Sequence, residues 1–137
     1  MKEPEDLIAL LKGNMGWGRL NSGAAVRADF CCEYCGVCLL DSVILYYSWE
    51  IDHIIPCGGD DLENVALACR TCNHLKHGHV PKGATRQDRI IDATNIIRDG
   101  RQKKAAELAK IRDLVAEWRD MSVAQSAGDD VLISSHK

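Results

Sequence analysis

The chain has 137 residues, 46% hydrophobic but only 5% aromatic, with a formal net charge of −3 and seven cysteines; this suits one domain with a modest aliphatic core that a metal staple would help to fold. No apolar run approaches the ~18 residues of a membrane span, and residues 1–6 lack the basic-then-apolar form of a signal peptide. An odd cysteine count without an export signal points to reduced thiols and metal rather than disulfides, hence to an intracellular, cytoplasmic protein.

In chain order, Pro4 suits the first turn of a short helix with Leu7, Ile8, Leu10 and Leu11 on its apolar face and Gly13 at its end. Residues 13–23, with four glycines, read as a loop anchored to the core by Trp17, and residues 24–30 as a short helix. Residues 43–51 are β-branched and aromatic and read as a strand broken by Pro56 and Gly58-Gly59. Residues 64–68 read as a second short strand or turn, and residues 73–77 as the opening of a helix. Beyond Pro81 the pattern is helical. One helix spans 85–98 with a stop at Asp99-Gly100, and a second spans 101–121 with Leu108, Ile111, Val115 and Trp118 in a stripe that should pack on the core or on the preceding helix. From Ser122 on the chain reads as a frayed or disordered tail.

Two Cys-x-x-Cys pairs dominate the chemistry. Cys32 and Cys35 lie 33 intervening residues before Cys69 and Cys72, and four thiolates in two such knuckles make a closed tetrahedral zinc site. The run from Cys31 to Cys38 also allows Cys35 with Cys38. Cys32 with Cys35 is preferred because Gly36 then relieves the tight turn after the second cysteine, leaving Cys31, Cys38 and Cys57 as free thiols. Between the knuckles lies Asp52-His53-Ile54-Ile55-Pro56. An imidazole titrates near neutral pH, as a general base requires, and Asp52 offers a hard oxygen to Mg²⁺ or Mn²⁺. Neighbouring strand residues point to opposite faces, so the two serve one phosphate only if the strand twists or ends there.

Charge is unevenly spread. Residues 1–69 carry 4 basic and 11 acidic groups, residues 70–104 carry 9 basic and 3 acidic, and residues 105–137 carry 4 basic and 6 acidic. The middle block, net +6, begins at the second knuckle. Its Lys76, Lys82, Arg86 and Arg89 are candidates for following a phosphate backbone, against the plainer reading of a solvated helix face.

The set Cys32-x-x-Cys35-Gly36, Asp52-His53-Ile54-Ile55-Pro56, Gly58-Gly59-Asp60, Asn64 and Cys69-Arg70-x-Cys72-Asn73-x-x-Lys76 resembles the HNH endonuclease family, in its zinc-stapled, restriction-like branch. The resemblance covers residues 27–78. It implies an α+β fold, the ββα-metal (His-Me) finger: two antiparallel strands and a helix around one catalytic ion, here with a structural zinc on four cysteines, flanked by N-terminal helices and a C-terminal helical extension. The expected division is 1–26, 27–80, 81–121 and a tail at 122–137. By resemblance His53 activates water, Asn64 orients that base and its loop, and Asn73, where the family often has His, joins Asp52 in holding the divalent ion. His77 can assist as a ligand, and Lys76 matches a basic position that neutralises phosphate.

The function implied is metal-dependent hydrolysis of DNA, double-stranded by expectation, leaving 5′-phosphate and 3′-hydroxyl ends. The alternative is a zinc-stapled nucleic-acid-binding module without cleavage. The C-terminal helices leave a homodimer or a protein partner open, and no membrane association is expected.

Overall fold

A computed structural model of the chain describes residues 5–135, with side chains described to residue 128; the expected role of Pro4 and the end of the expected tail, residues 136–137, lie outside the described residues. The chain divides into one compact unit ending at Gly100 and a second beginning at Arg101.

In the first unit, helix α1 (Glu5–Met15) opens with Glu5 and Asp6, whose charges suit the helix N-terminus. It passes through Gly13 and stops at Gly16, whose φ of +67° few other residues adopt. Helix α2 (Arg19–Arg27) replaces much of the expected loop. Its buried Ser22, Gly23, Ala24 and Ala25 are small enough for the helix backbone to approach its neighbours closely, which outweighs the low helix propensity of Ser and Gly. Trp17 is buried against Trp49 with ring centroids 4.6 Å apart, as an anchor should be.

Residues 43–51 do not form one strand. Ser42 is an N-cap whose Oγ accepts from Leu45 N at 3.1 Å, and this cap turns Val43–Tyr46 into a one-turn helix, α3. The strand begins later, as β1 (Trp49–His53), and pairs antiparallel with β2 (Val65–Cys69) in a register that sets Trp49 opposite Cys69 and His53 opposite Val65. All five residues of β2 are buried. With Leu39 and Ile54 they form the centre of the core, where each large aliphatic side chain contributes about 1.5–3 kcal/mol. Helix α4 (Arg70–Lys76) follows β2 without a loop, and Cys69 is its N-cap. These two strands and α4 make the ββα unit that the resemblance implies.

Helix α5 runs from Arg86 to Ser135. Asp99-Gly100 does not stop it. Leu75 lies 3.5 Å from where a Gly100 side chain would begin, an ordinary contact distance, and the helix continues through the glycine. Nor does the helix end at Ser122. In the second unit the stripe expected to be covered is open: Leu108, Ile111 and Trp118 are exposed, the last at 64%, because this unit is a single helix with no other element to shield them. No helix among the described residues is long and apolar enough to cross a membrane.

Candidate active site

The two knuckles meet. The Sγ atoms of Cys32, Cys35, Cys69 and Cys72 all lie within 4.8 Å of one another, and Cys35 and Cys69 are 3.9 Å apart. Tetrahedral bonds of about 2.3 Å place sulfurs about 3.8 Å apart, so this donor set fits a single ion. Cys32 rather than Cys38 joins this group: Cys38 instead forms an isolated backbone β-bridge with Cys31 at the neck of the knuckle, and Gly36 takes φ +80° just after Cys35. Held this close, the four thiols perturb one another. Hydrogen bonds from Cys69 and Cys72 hold the Cys32 thiol far below its usual range, hydrogen bonds to Cys32 and Cys69 push Cys72 up, and burial pushes Cys35 up to about 11. A cation that admits all four as thiolates removes the conflict.

Beside this clamp, β1 and α4 enclose an open cleft of about 580 Å³ that contains Asp52, His53, Asn73, Lys76 and His77 together with Glu50, Arg70 and His74. The strand ends at His53, and Asp52 and His53 both line the cleft.

Asp52 is buried, its carboxylate accepting from the Tyr34 hydroxyl and from Lys76 Nζ, which lies 3.1 Å from Oδ2. Lys76 is buried too, and also donates to His53 O at 3.1 Å. It therefore faces Asp52 rather than open solvent. His53 Nε2–H donates to Asp60 Oδ1 at 2.5 Å, which leaves the lone pair of the neutral ring on Nδ1. Asn64 clasps the loop that follows: Oδ1 accepts from Ile55 N at 3.0 Å, while Nδ2 donates to Ile55 O at 3.0 Å and Gly59 O at 2.9 Å. A side chain at Gly58 would come within 2.8 Å of Asn64 Nδ2, so the clasp closes only over a glycine. Asn73 Nδ2 donates to Glu50 Oε2 at 2.6 Å, which turns Oδ1 of the same amide away from that carboxylate. His77 is the C-cap of α4 and departs from helical geometry, so it does not continue the helix face of Asn73, though it still lines the cleft.

Residues 32–79 match the family model described as HNH endonuclease. The chain carries an HNH domain. Searches of curated proteins and of solved structures found no match. The HNH domain spans both knuckles, the sheet and α4, and leaves α1, α2 and α5 outside the matched segment. The match suggests nuclease chemistry as the functional class and implies a nucleic acid as the substrate class.

The basic block divides into exposed and engaged side chains. Lys82 is exposed. Arg86 is not free: its guanidinium donates to Glu33 Oε1 and Val65 O, both at 2.8 Å, with its side chain only 17% exposed. Arg89 donates to Gly83 O at 3.2 Å. Three further residues of the cleft are given no role by the motifs. Glu50 lies two positions before Asp52, hence on the same strand face, and alternation is the signal that could have found it. Arg70, whose side chain is 68% exposed, opens α4 and donates to Glu50 Oε1 at 3.2 Å. His74 follows Asn73 directly.

Proposed function

We propose that this chain is a metal-dependent endonuclease that hydrolyses phosphodiester bonds of double-stranded DNA. The observation that carries the reading is the convergence of His53, Asp52 and Asn73 on one open cleft of the HNH domain. His53 Nδ1 takes a proton from water while Asp60 holds the opposite nitrogen. The hydroxide attacks phosphorus in line, the bond to the 3′ oxygen breaks, and the products carry 5′-phosphate and 3′-hydroxyl ends.

Asp52 and Asn73 would hold the divalent ion, Mg²⁺ or Mn²⁺. Glu50 keeps the amide of Asn73 turned so that Oδ1 is the atom on offer. Among the described residues only the four cysteines group three or more His, Cys, Asp or Glu ligand atoms. That suits Mg²⁺, which is commonly bound by one or two protein oxygens completed by water and substrate phosphate. When bound, the ion supplies positive charge for the developing oxyanion and the leaving oxygen. The four-cysteine site holds zinc in a closed structural role. Arg70 at the cleft and the exposed Lys82 contact phosphates.

A plasmid-cleavage assay in Mg²⁺, Mn²⁺, Ni²⁺ or EDTA tests the reading. Cleavage should require the divalent ion, and His53→Ala should lower it by about 10²–10⁴-fold with zinc content and melting temperature unchanged. Equal cleavage by His53→Ala and wild type would remove His53 as the base.

A further inference from the structure

Asp52 is held by both halves of the cysteine clamp. Tyr34 lies between Cys32 and Cys35, inside the first knuckle. Its ring is buried and Asp52 is the partner of its hydroxyl. A buried hydroxyl without a partner costs free energy, so this one is tied to the carboxylate. Lys76 lies four residues after Cys72, on the same face of α4, and its Nζ is 3.1 Å and 3.3 Å from the two Asp52 oxygens. Each knuckle thus extends one arm to one carboxylate. A carboxylate has about four acceptor positions, and these arms take most of them, leaving Asp52 a narrow choice of direction for anything else it binds.

We propose that Tyr34 is a positioning residue that transmits the order of the four-cysteine site to Asp52 and thereby sets the affinity of the cleft for its divalent ion. The proposal rests on the nuclease reading above for the role of Asp52. The knuckle spans only two residues between its cysteines, so once both thiolates are bound the Tyr34 backbone has little freedom, and the hydroxyl position follows. The Tyr34 hydroxyl is the donor and the Asp52 carboxylate the acceptor. Groups that orient a metal ligand without touching the metal typically change affinity or activity by about 10–100-fold when removed. If Tyr34 only filled space and satisfied its own hydroxyl, its loss would lower stability and leave ion affinity alone.

The test is Mn²⁺ binding to the zinc-loaded full chain, followed by electron paramagnetic resonance without DNA, for wild type, Asp52→Asn and Tyr34→Phe. Tyr34→Phe is expected to keep its zinc and to weaken Mn²⁺ binding about 10-fold. Its half-saturating Mn²⁺ in plasmid cleavage should rise by the same factor, and its rate at saturating Mn²⁺ should stay near wild type. Wild-type Mn²⁺ affinity in Tyr34→Phe, with Asp52→Asn weakened, overturns the proposal and leaves the nuclease reading intact. Unchanged affinity in Asp52→Asn overturns both the proposal and the assignment of Asp52 to the ion. If Tyr34→Phe loses its zinc, a chain carrying 4-fluorophenylalanine at position 34 keeps the ring and fills the place of the hydroxyl while removing the donor. A weaker Mn²⁺ affinity then supports the proposal, and an unchanged one overturns it.

Discussion

The two walls of the cleft are built on different terms. The wall that carries Asp52, Asn73 and Lys76 belongs to β1 and α4 and is tied to the cysteine cluster through Tyr34 and Cys72. The other wall carries His53, the last residue of β1, whose partner Asp60 lies in the following loop, closed by the side chain of Asn64. Asp52 is nearly inaccessible, whereas the Asp60 side chain is 82% exposed. On the proposed reading, the groups that would hold an ion sit on the rigid wall and the group that would exchange a proton with solvent sits on the wet one, so one short segment would separate the two tasks.

The largest effect should come from breaking the rigid wall. Cys69→Ser removes one thiolate of the cluster while leaving a hydroxyl that can still cap α4. We expect loss of bound zinc and unfolding of residues 43–78, since structural zinc contributes roughly 10–16 kcal/mol of apparent binding free energy in small zinc units. Metal analysis with circular dichroism checks it, and an unaltered melting curve in the zinc-free variant would count against the clamp.

Next, Arg86→Met breaks the pair with Glu33, a residue of the first knuckle. Breaking a buried pair costs about 3–5 kcal/mol; for this partly exposed one we expect about 2–3 kcal/mol in denaturant unfolding. Lys82→Glu serves as its opposite. Stability should be unchanged, while the salt slope of DNA binding, titrated in Ca²⁺ to hinder cleavage, should fall by about 0.9 for a lost phosphate contact on B-DNA. An identical slope would show that Lys82 does not touch the backbone.

On the loop wall, Asn64→Ala unpairs Ile55 N, Ile55 O and Gly59 O. Each unpaired group costs about 1–3 kcal/mol if fully buried, and water can reach this loop, so we expect about 1–2 kcal/mol in all. Cleavage should fall with zinc retained; a drop in zinc content would show that the two walls are not separate.

The smallest effect lies away from the cleft. The backbone N–H of Lys82, with help from His79, holds the Asp92 carboxyl below its ordinary value. A depressed folded value means stability that is present above the unfolded carboxylate value and lost as pH falls through the folded one. Asp92→Asn should therefore lower the melting temperature slightly at neutral pH and flatten its fall on acidification, as scanning calorimetry at several pH values would record.

What can be read in the sequence is what is local. The knuckles, Asp52-His53 and Asn64 announce themselves over a few residues, and the fold class follows from them. Sequence and structure part where a local signal yields to something nearby or distant. Ser42 caps a helix in a stretch with strand composition, and α5 runs through Asp99-Gly100, whose helix-stop signal is a local one. Arg86 resembles part of a phosphate-binding run because its partner, Glu33, is 53 positions away. Glu50 draws no notice because a single carboxylate carries no pattern; its meaning comes from Asn73 across the sheet-to-helix interface.

A two-stranded sheet leaves β2 with an unpaired outer side, the kind of surface that recruits strands from other molecules. Here Leu67 N donates to Glu33 Oε2 at 2.7 Å, Leu67 O accepts from Glu33 N at 2.8 Å, and Val65 O is capped by Arg27 and Arg86. One glutamate and two arginines thus stand in for a missing third strand. The same three side chains that brace the fold also shield this border against edge-to-edge aggregation.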